Sequence, residues 1–164
     1  MGKPKSGRVV LSVAPATRGM AYAIFEKETE PIDWGIKTAR INKNRKCEGY
    51  VESLISFYQP DVLVLERLED NHRRERVDQL LTTIEKLAVF KGVEVVRVSR
   101  DDVKTVFGQF GGSTKQSIAK TITLWFPELK HRMPRYRKPW LPEAHSMVLF
   151  ECFAFGLTYY YQTN

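Results

Sequence analysis

The chain is short of cysteine, of acid and of unbroken apolar sequence, and each shortage excludes a class of protein. Its 164 residues hold two cysteines, Cys47 and Cys152, with no CxxC pair and no metal-ligand spacing. That excludes a disulfide scaffold and a zinc finger; two buried, reduced thiols of a cytosolic protein are expected. No apolar run approaches the roughly 18 residues that mark a membrane span, so no membrane partner is expected. The apolar stretch behind the basic N-terminus is too short for a signal peptide. The expected location is therefore cytoplasmic or nucleoid-associated. Internal repeats and low-complexity segments are lacking as well. Acids are outnumbered: 19 Asp plus Glu face 26 Lys plus Arg, for a formal net charge of +7 and a pI near 9.5. Such a balance favours a polyanionic partner, most often nucleic acid. What remains, 43% apolar and 27% charged, is ordinary globular usage at a length that suits one domain.

Residues 1–7 read as a basic tail and 8–164 as one domain. RVVLSVA, Arg8 to Ala14, is a short apolar run suited to a strand buried on both faces, and Pro15 is expected to break it. Met20 to Glu26 and Ile32 to Thr38 resume an extended pattern and complete a meander. Val51, Leu54, Ile55 and Tyr58 are spaced as one helix face within Asn44 to Tyr58. Asp61 to Leu65 is the clearest strand, with Glu66 at its carboxyl end. Arg74 to Lys91 has a helical apolar face with Gly92 as its cap, and Val93 to Val98 is a further strand. Ser99 caps a short helix, with Asp101 and Asp102 in its first turn. A glycine-rich turn, Gly108 to Gly112, leads to Ser113 or Thr114 as the next cap, for a helix ending near Phe126. Pro127 to Pro142 reads as an irregular, basic, proline-rich loop, and a last helix as Glu143 to Tyr160. The expected fold is α/β: a mixed five-stranded sheet, meander first and alternating β and α units after, with helices on both faces. Ligands of such sheets sit outside the carboxyl ends of the parallel strands. Ala14 and Glu66 are expected on that rim.

Glu66 is the first candidate for chemistry, because a carboxylate at the end of a buried strand is held rigidly over a cleft. Glu69 and Asp70 follow it, and then the run HRRER from His72 to Arg76. Acids and arginines crowded into one turn suit a site that holds Mg²⁺ together with a nucleic-acid phosphate. A charged helix start exposed to water is the plainer alternative.

With these residues in place, the chain resembles the RNase H-like superfamily, and within it the RuvC-type Holliday junction resolvases. VVLSVAPATRGMAYAIF resembles the family's first hairpin, and PDVLVLE the strand that presents its second carboxylate. GVEVVRVSRDDVKTVF with GGSTKQSIAKTI resembles its later strand, short helix and lysine-bearing helix. RKPWLPEAHSMVLFECFAFGLTYY resembles its closing helix. The resemblance runs from about residue 8 to 160 and rests on order and spacing more than on any one motif. It implies that Glu66 is the second metal-binding carboxylate. The position of the first, an Asp in the family, is Ala14, which cannot ligate a cation. An inactivated variant and a degenerate relative that binds without cutting both fit that departure. The third acid is Glu151 or Glu143, with His145 nearby as a weaker candidate. Glu151 is preferred, since an unpaired carboxylate in so apolar a helix would cost several kcal/mol without a cation.

Lys115, at a helix start behind a glycine-rich turn, is a candidate phosphate contact. Arg73, Arg74 and Arg76 flank the Glu66 strand end. Arg135, Arg137 and Lys138 lie among Tyr136 and Trp140, a mixture suited to phosphate tracking and base stacking. The activity the resemblance implies is metal-dependent resolution of four-way DNA junctions by paired phosphodiester cleavage. In the active form, which would have an acid at position 14, two Mg²⁺ ions, or Mn²⁺, would be held by carboxylates at 14, 66 and 151. The partners it implies are branched DNA and a second copy of the chain, because a four-way junction needs two symmetric cuts. A catalytically dead DNA-binding adaptor and a nuclease acting on RNA–DNA hybrids are the other readings.

Overall fold

The computed structural model describes residues 8–68, 75–134 and 144–163. Three strands open the fold: β1 (Val10–Ala16), β2 (Gly19–Lys27) and β3 (Glu30–Thr38). They form the expected antiparallel meander, β2 in the middle. Helix α1 (Lys43–Tyr58), strand β4 (Val62–Glu66), helix α2 (Glu75–Phe90) and strand β5 (Glu94–Val98) follow. β4 and β5 add in parallel, giving the sheet order β3-β2-β1-β4-β5. Helices α3 (Arg100–Gly108), α4 (Lys115–Trp125) and α5 (Met147–Thr163) complete the chain.

Side chains alternate across each strand, and the two faces carry separate cores. Leu11, Val13, Leu63 and Leu65 pack with Val51, Ile55, Leu80, Leu81 and Ile84 of α1 and α2. Val10, Ala14, Val62, Val64 and Val98 pack with residues of α3, α4 and α5. Central strands covered on both sides explain why β1 and β4 read as apolar runs. The mixed sheet with helices on both faces is as expected from the sequence.

Several boundaries differ. Pro15 does not end β1, which runs on to Ala16, with Pro15 opposite Met20 of β2. β4 pairs with β1 only as far as Ser12, so the proline's missing N–H falls beyond the parallel ladder, where a strand tolerates it. The hairpin closes at Gly19, whose φ is +129°; a Cβ there would fall 1.9 Å from the carbonyl oxygen of Lys37. Pro127–Arg132 is a 3₁₀ helix instead of irregular loop, anchored by the buried Leu129. α5 starts at Met147, about one turn later than the expected start at Glu143: His145 and Ser146 form a turn before it, and the amide of Met147 donates to the carbonyl of Ala144. Glu143 itself lies outside the described residues. The caps follow the sequence closely. Ser99 accepts from the amide of Asp102, Asp102 accepts from that of Ser99, and Thr114 and Ser117 repeat the exchange at α4. The amide of Ser99 holds the Asp102 carboxyl below its ordinary pKa.

α5 is buried from Met147 to Tyr160 apart from the half-buried Glu151, because it is wedged between the sheet and helices α3 and α4. Its contact with β1 is unusually close. Ser12 Oγ donates to the carbonyl of Cys152 at 2.7 Å, and Cys152 Sγ donates to the carbonyl of Ser12 at 3.0 Å. Burial pushes the Cys152 thiol up to about 12, so it stays a neutral donor. One turn on, a Cβ added to Gly156 would sit 2.8 Å from the ring of Phe25 and 3.3 Å from the Cβ of Ser12. Alanine is the better helix former by about 1 kcal/mol, but overpacking a tight core costs about 1–3 kcal/mol. Gly156→Ala is therefore expected to lose about 1 kcal/mol net in urea unfolding, against its helix propensity.

On the opposite face, Asp33 of β3 ties α1 to the meander. Tyr58 Oη donates to its Oδ2, and Tyr22 Oη lies 3.2 Å from its Oδ1. Burial, then Asp33, pushes the Tyr22 phenol up to about 12; the hydrogen bond to Asp33 does the same for Tyr58. These phenols ionise near 10 in the unfolded chain, so their stabilisation is complete below pH 10 and is lost as pH rises towards 12. Urea midpoints are expected to hold to about pH 9 and fall beyond it, and to fall less steeply in Asp33→Asn.

Candidate active site

The sheet face beneath α5 brings Glu66 and Glu151 together. Glu66, the last residue of β4, points to that face with Val62 and Val64. It is 4% exposed. Its backbone is fixed by the parallel register with Val98 and by Arg97, whose Nη1 donates to the Glu66 carbonyl at 2.9 Å. Glu151, in the second turn of α5, descends on the same spot, one residue before the Cys152 contact with β1. Ala14 lies in the core cluster on this face and is 2% exposed.

Arg100 joins the two acids. It is the first residue of α3, two positions past the end of β5. Its Nε lies 3.1 Å from Glu66 Oε2 and its Nη1 2.8 Å from Glu151 Oε1. Lys115, the first residue of α4, brings Nζ to 3.0 Å from the same Glu151 oxygen. Both contacts to Glu151 Oε1 are ionic and off the line of a hydrogen bond, so this buried oxygen lacks a well-aligned donor. Burial works against the charge of Arg100, but the fields of Glu151 and Glu66 outweigh it and raise its pKa above the ordinary arginine value.

A cleft of about 670 Å³ opens over this group. Arg18, Lys43, Arg76, Arg100 and Lys115 line it, against the carboxylates of Glu75 and Glu151, with Pro15, Ala16 and His145 at its wall. The excess of cations gives it a field that attracts phosphate. Arg76 also holds the scaffold together. Its guanidinium donates to Asn44 Oδ1 at 3.0 Å and to the Ala16 carbonyl at 3.2 Å. It thereby pins the starts of α1 and α2 to the end of β1.

The structure thus gathers Glu151, Lys115, Arg76 and His145 on the wall of one cleft, with Glu66 buried behind Arg100 and Ala14 in the core. Glu143, Arg73, Arg74, Arg135, Arg137 and Lys138 lie outside the described residues, as do Glu69, Asp70, Tyr136 and Trp140. Sequence reasoning missed Arg100. A signal was present: an arginine at the first position of a helix opposes the macrodipole, which favours acids there.

Two divalent ions need several oxygen donors. Among the described residues, no group of three or more His, Cys, Asp or Glu side chains could hold a metal ion. Ala14 supplies no donor, and a guanidinium spans the two carboxylates. The described donor set does not fit a two-metal centre.

The sheet order and its flanking helices form an α/β fold of the RNase H-like type, with Glu66 and Glu151 joined by Arg100 at the carboxyl ends of its parallel strands. Its structural neighbours are RuvC and other Holliday junction resolvases. Thermus thermophilus RuvC superposes with a TM-score of 0.69 at 15% identity, covering 94% of this chain and 95% of that one. The fowlpox virus Holliday junction resolvase gives 0.57 at 19% identity over 94% and 99%. The yeast mitochondrial Holliday junction resolvase Ydc2 gives 0.65 at 11% over 94% and 78%. At these identities the likeness is one of fold. No family model and no curated protein matches the chain.

Removing one partner of a buried ion pair leaves an uncompensated charge, at a cost of about 3–5 kcal/mol when fully buried. The Arg100 side chain is 35% exposed, so Arg100→Ala is expected to cost about 2 kcal/mol. Adding Glu66→Gln and Glu151→Gln to it should recover most of that loss in urea unfolding, because the cost lies in the stranded charges.

Proposed function

We propose that the chain binds four-way DNA junctions, as a homodimer, on the architecture of a metal-dependent resolvase, and that with Ala14 it does not cut them. The observation that carries this reading is the basic cleft at the carboxyl rim of the sheet, lined by Glu151 and by Arg100, which links Glu151 to the buried Glu66. Structures of T. thermophilus RuvC with Holliday junction substrate and of fowlpox virus resolvase with Holliday junction DNA have the same fold as this chain, which supports a branched-DNA partner. Arg18, Lys43, Arg76 and Lys115 offer phosphate contacts within the cleft; Arg73, Arg74, Arg135, Arg137 and Lys138 extend the basic set in sequence. These contacts position the duplex arms without reading sequence. Two-fold symmetry of the junction calls for two copies of the chain. The location in keeping with junction binding is the cytoplasm or nucleoid.

Cleavage belongs to the form with Asp at position 14. There three carboxylates would face one spot, the donor set that divalent-ion phosphodiester hydrolysis requires. The bridge made by Arg100 favours a second reading on the same fold, an adaptor whose site has given up cleavage.

A gel-shift and nicking assay on a synthetic junction, matched duplex and RNA–DNA hybrid tests these readings. At moderate salt the junction is expected to bind about tenfold or more tightly than duplex. In Mg²⁺ only Ala14→Asp is expected to make paired, symmetric nicks. Equal affinity for junction and duplex would sink the proposal. Junction binding without nicks by Ala14→Asp would select the adaptor.

A further inference from the structure

Glu66 and Glu151 carry two negative charges in a buried place, and the fold supplies two positive charges of its own. Arg100 reaches both carboxylates, at 3.1 and 2.8 Å, and Lys115 reaches Glu151 at 3.0 Å. Among the described residues, these two cations match the two acids one for one without an ion from solution. A guanidinium stays protonated in a protein, so it cannot yield the site by losing a proton. A divalent ion bridging the two acids through Glu66 Oε2 and Glu151 Oε1 would have to push the guanidinium off both. Mg²⁺ would also have to give up tightly held water for a pair of carboxylates that no third His, Cys, Asp or Glu side chain among the described residues joins.

The geometry points to Arg100 as a built-in cation: we propose that its guanidinium stands in for divalent metal at the Glu66–Glu151 pair, shuts metal out, and makes nucleic-acid binding in the cleft independent of metal. This deepens the reading of the same site, since two neutralised carboxylates no longer repel an incoming phosphate. The rest of the lining, Arg18, Lys43 and Arg76 against the single carboxylate of Glu75, then keeps a net positive charge towards DNA. Arg100 is a positioning residue here. It acts through the acids that it holds.

The test uses Mn²⁺ as the probe, read by electron paramagnetic resonance on the free protein, so it does not depend on any DNA. The unaltered chain is expected to take up no Mn²⁺ at this pair below about 1 mM, a free energy near −4 kcal/mol. Arg100→Ala is expected to bind about one Mn²⁺ per chain at least about tenfold more tightly, and adding Glu66→Gln should abolish the gain. Arg100→Lys, which keeps the charge, should restore most of the exclusion. Mn²⁺ uptake by the unaltered chain that Glu66→Gln removes would overturn the proposal, and that result needs no Arg100 variant to fold. A folded Arg100→Ala with no gain in Mn²⁺ binding would overturn it too. In the DNA arm, junction affinity should match in EDTA and Mg²⁺ to within about twofold; a tenfold loss in EDTA contradicts metal independence. Absence of junction binding in both buffers would sink the functional reading and leave the Mn²⁺ result standing.

Discussion

A carboxylate taken out of water must be compensated, and the rim of this sheet is organised around that demand. Glu66 is almost wholly buried at the end of β4, and Glu151 meets it from α5. Stranding either charge would cost several kcal/mol. Two helices begin at this rim, and the macrodipole of each is worth only about 0.3–1 kcal/mol to an anion. Their free amides are also partly spent, since capping boxes at Ser99–Asp102 and Thr114–Ser117 take up donors that could have faced the acids. The compensation therefore falls to side chains. Both helices place a cation at their first position, Arg100 on α3 and Lys115 on α4.

The position of Glu151 rests on a second constraint, the depth to which α5 sinks into the sheet. The exchange between Ser12 and Cys152 sets the helix against β1 at the residue next to Glu151. Gly156 lets Phe25 and Ser12 approach one turn further on. Edge contacts of Phe153 with Phe25 and Trp34, at 5.3 and 6.0 Å, fix its rotation. A helix held at three points in this way delivers a polar side chain to a chosen spot with little freedom, as a reactive or recognition site requires.

The fold was largely legible in the sequence because its signals are local. Apolar runs of Val and Leu marked β1 and β4; three- and four-residue spacing marked α1 and α2; Ser99 and Gly92 marked caps, and Ser113 or Thr114 a third, which the structure gives to Thr114. The local signals misled where tertiary context decided. Pro15 looked like a stop, yet it sits where β1 has lost its parallel neighbour. The 3₁₀ turn at Pro127 is fixed by burial of Leu129, which no local pattern announces. At the site, Glu66 was legible as an acid ending a strand and Glu151 as an acid in an apolar helix. Arg100 was not, because its partners lie 34 and 51 residues away in sequence and the pairing exists only once β4, α3 and α5 have met.

Ala14 and Arg100 are best understood together. With alanine in β1 the site holds two carboxylates, and the two cations at the helix starts match them; nothing remains to draw an ion from solution. An aspartate at 14, in the same core cluster, would make three carboxylates against two fixed cations. One negative charge would then be left at a largely buried position, and Coulomb attraction between unit charges 4 Å apart is about four times stronger at an effective dielectric constant near 20 than in bulk water. That residual charge is what would bring a divalent ion in against the guanidinium. The residue at 14 therefore sets the charge demand of the whole rim, and Arg100 answers the demand that alanine leaves.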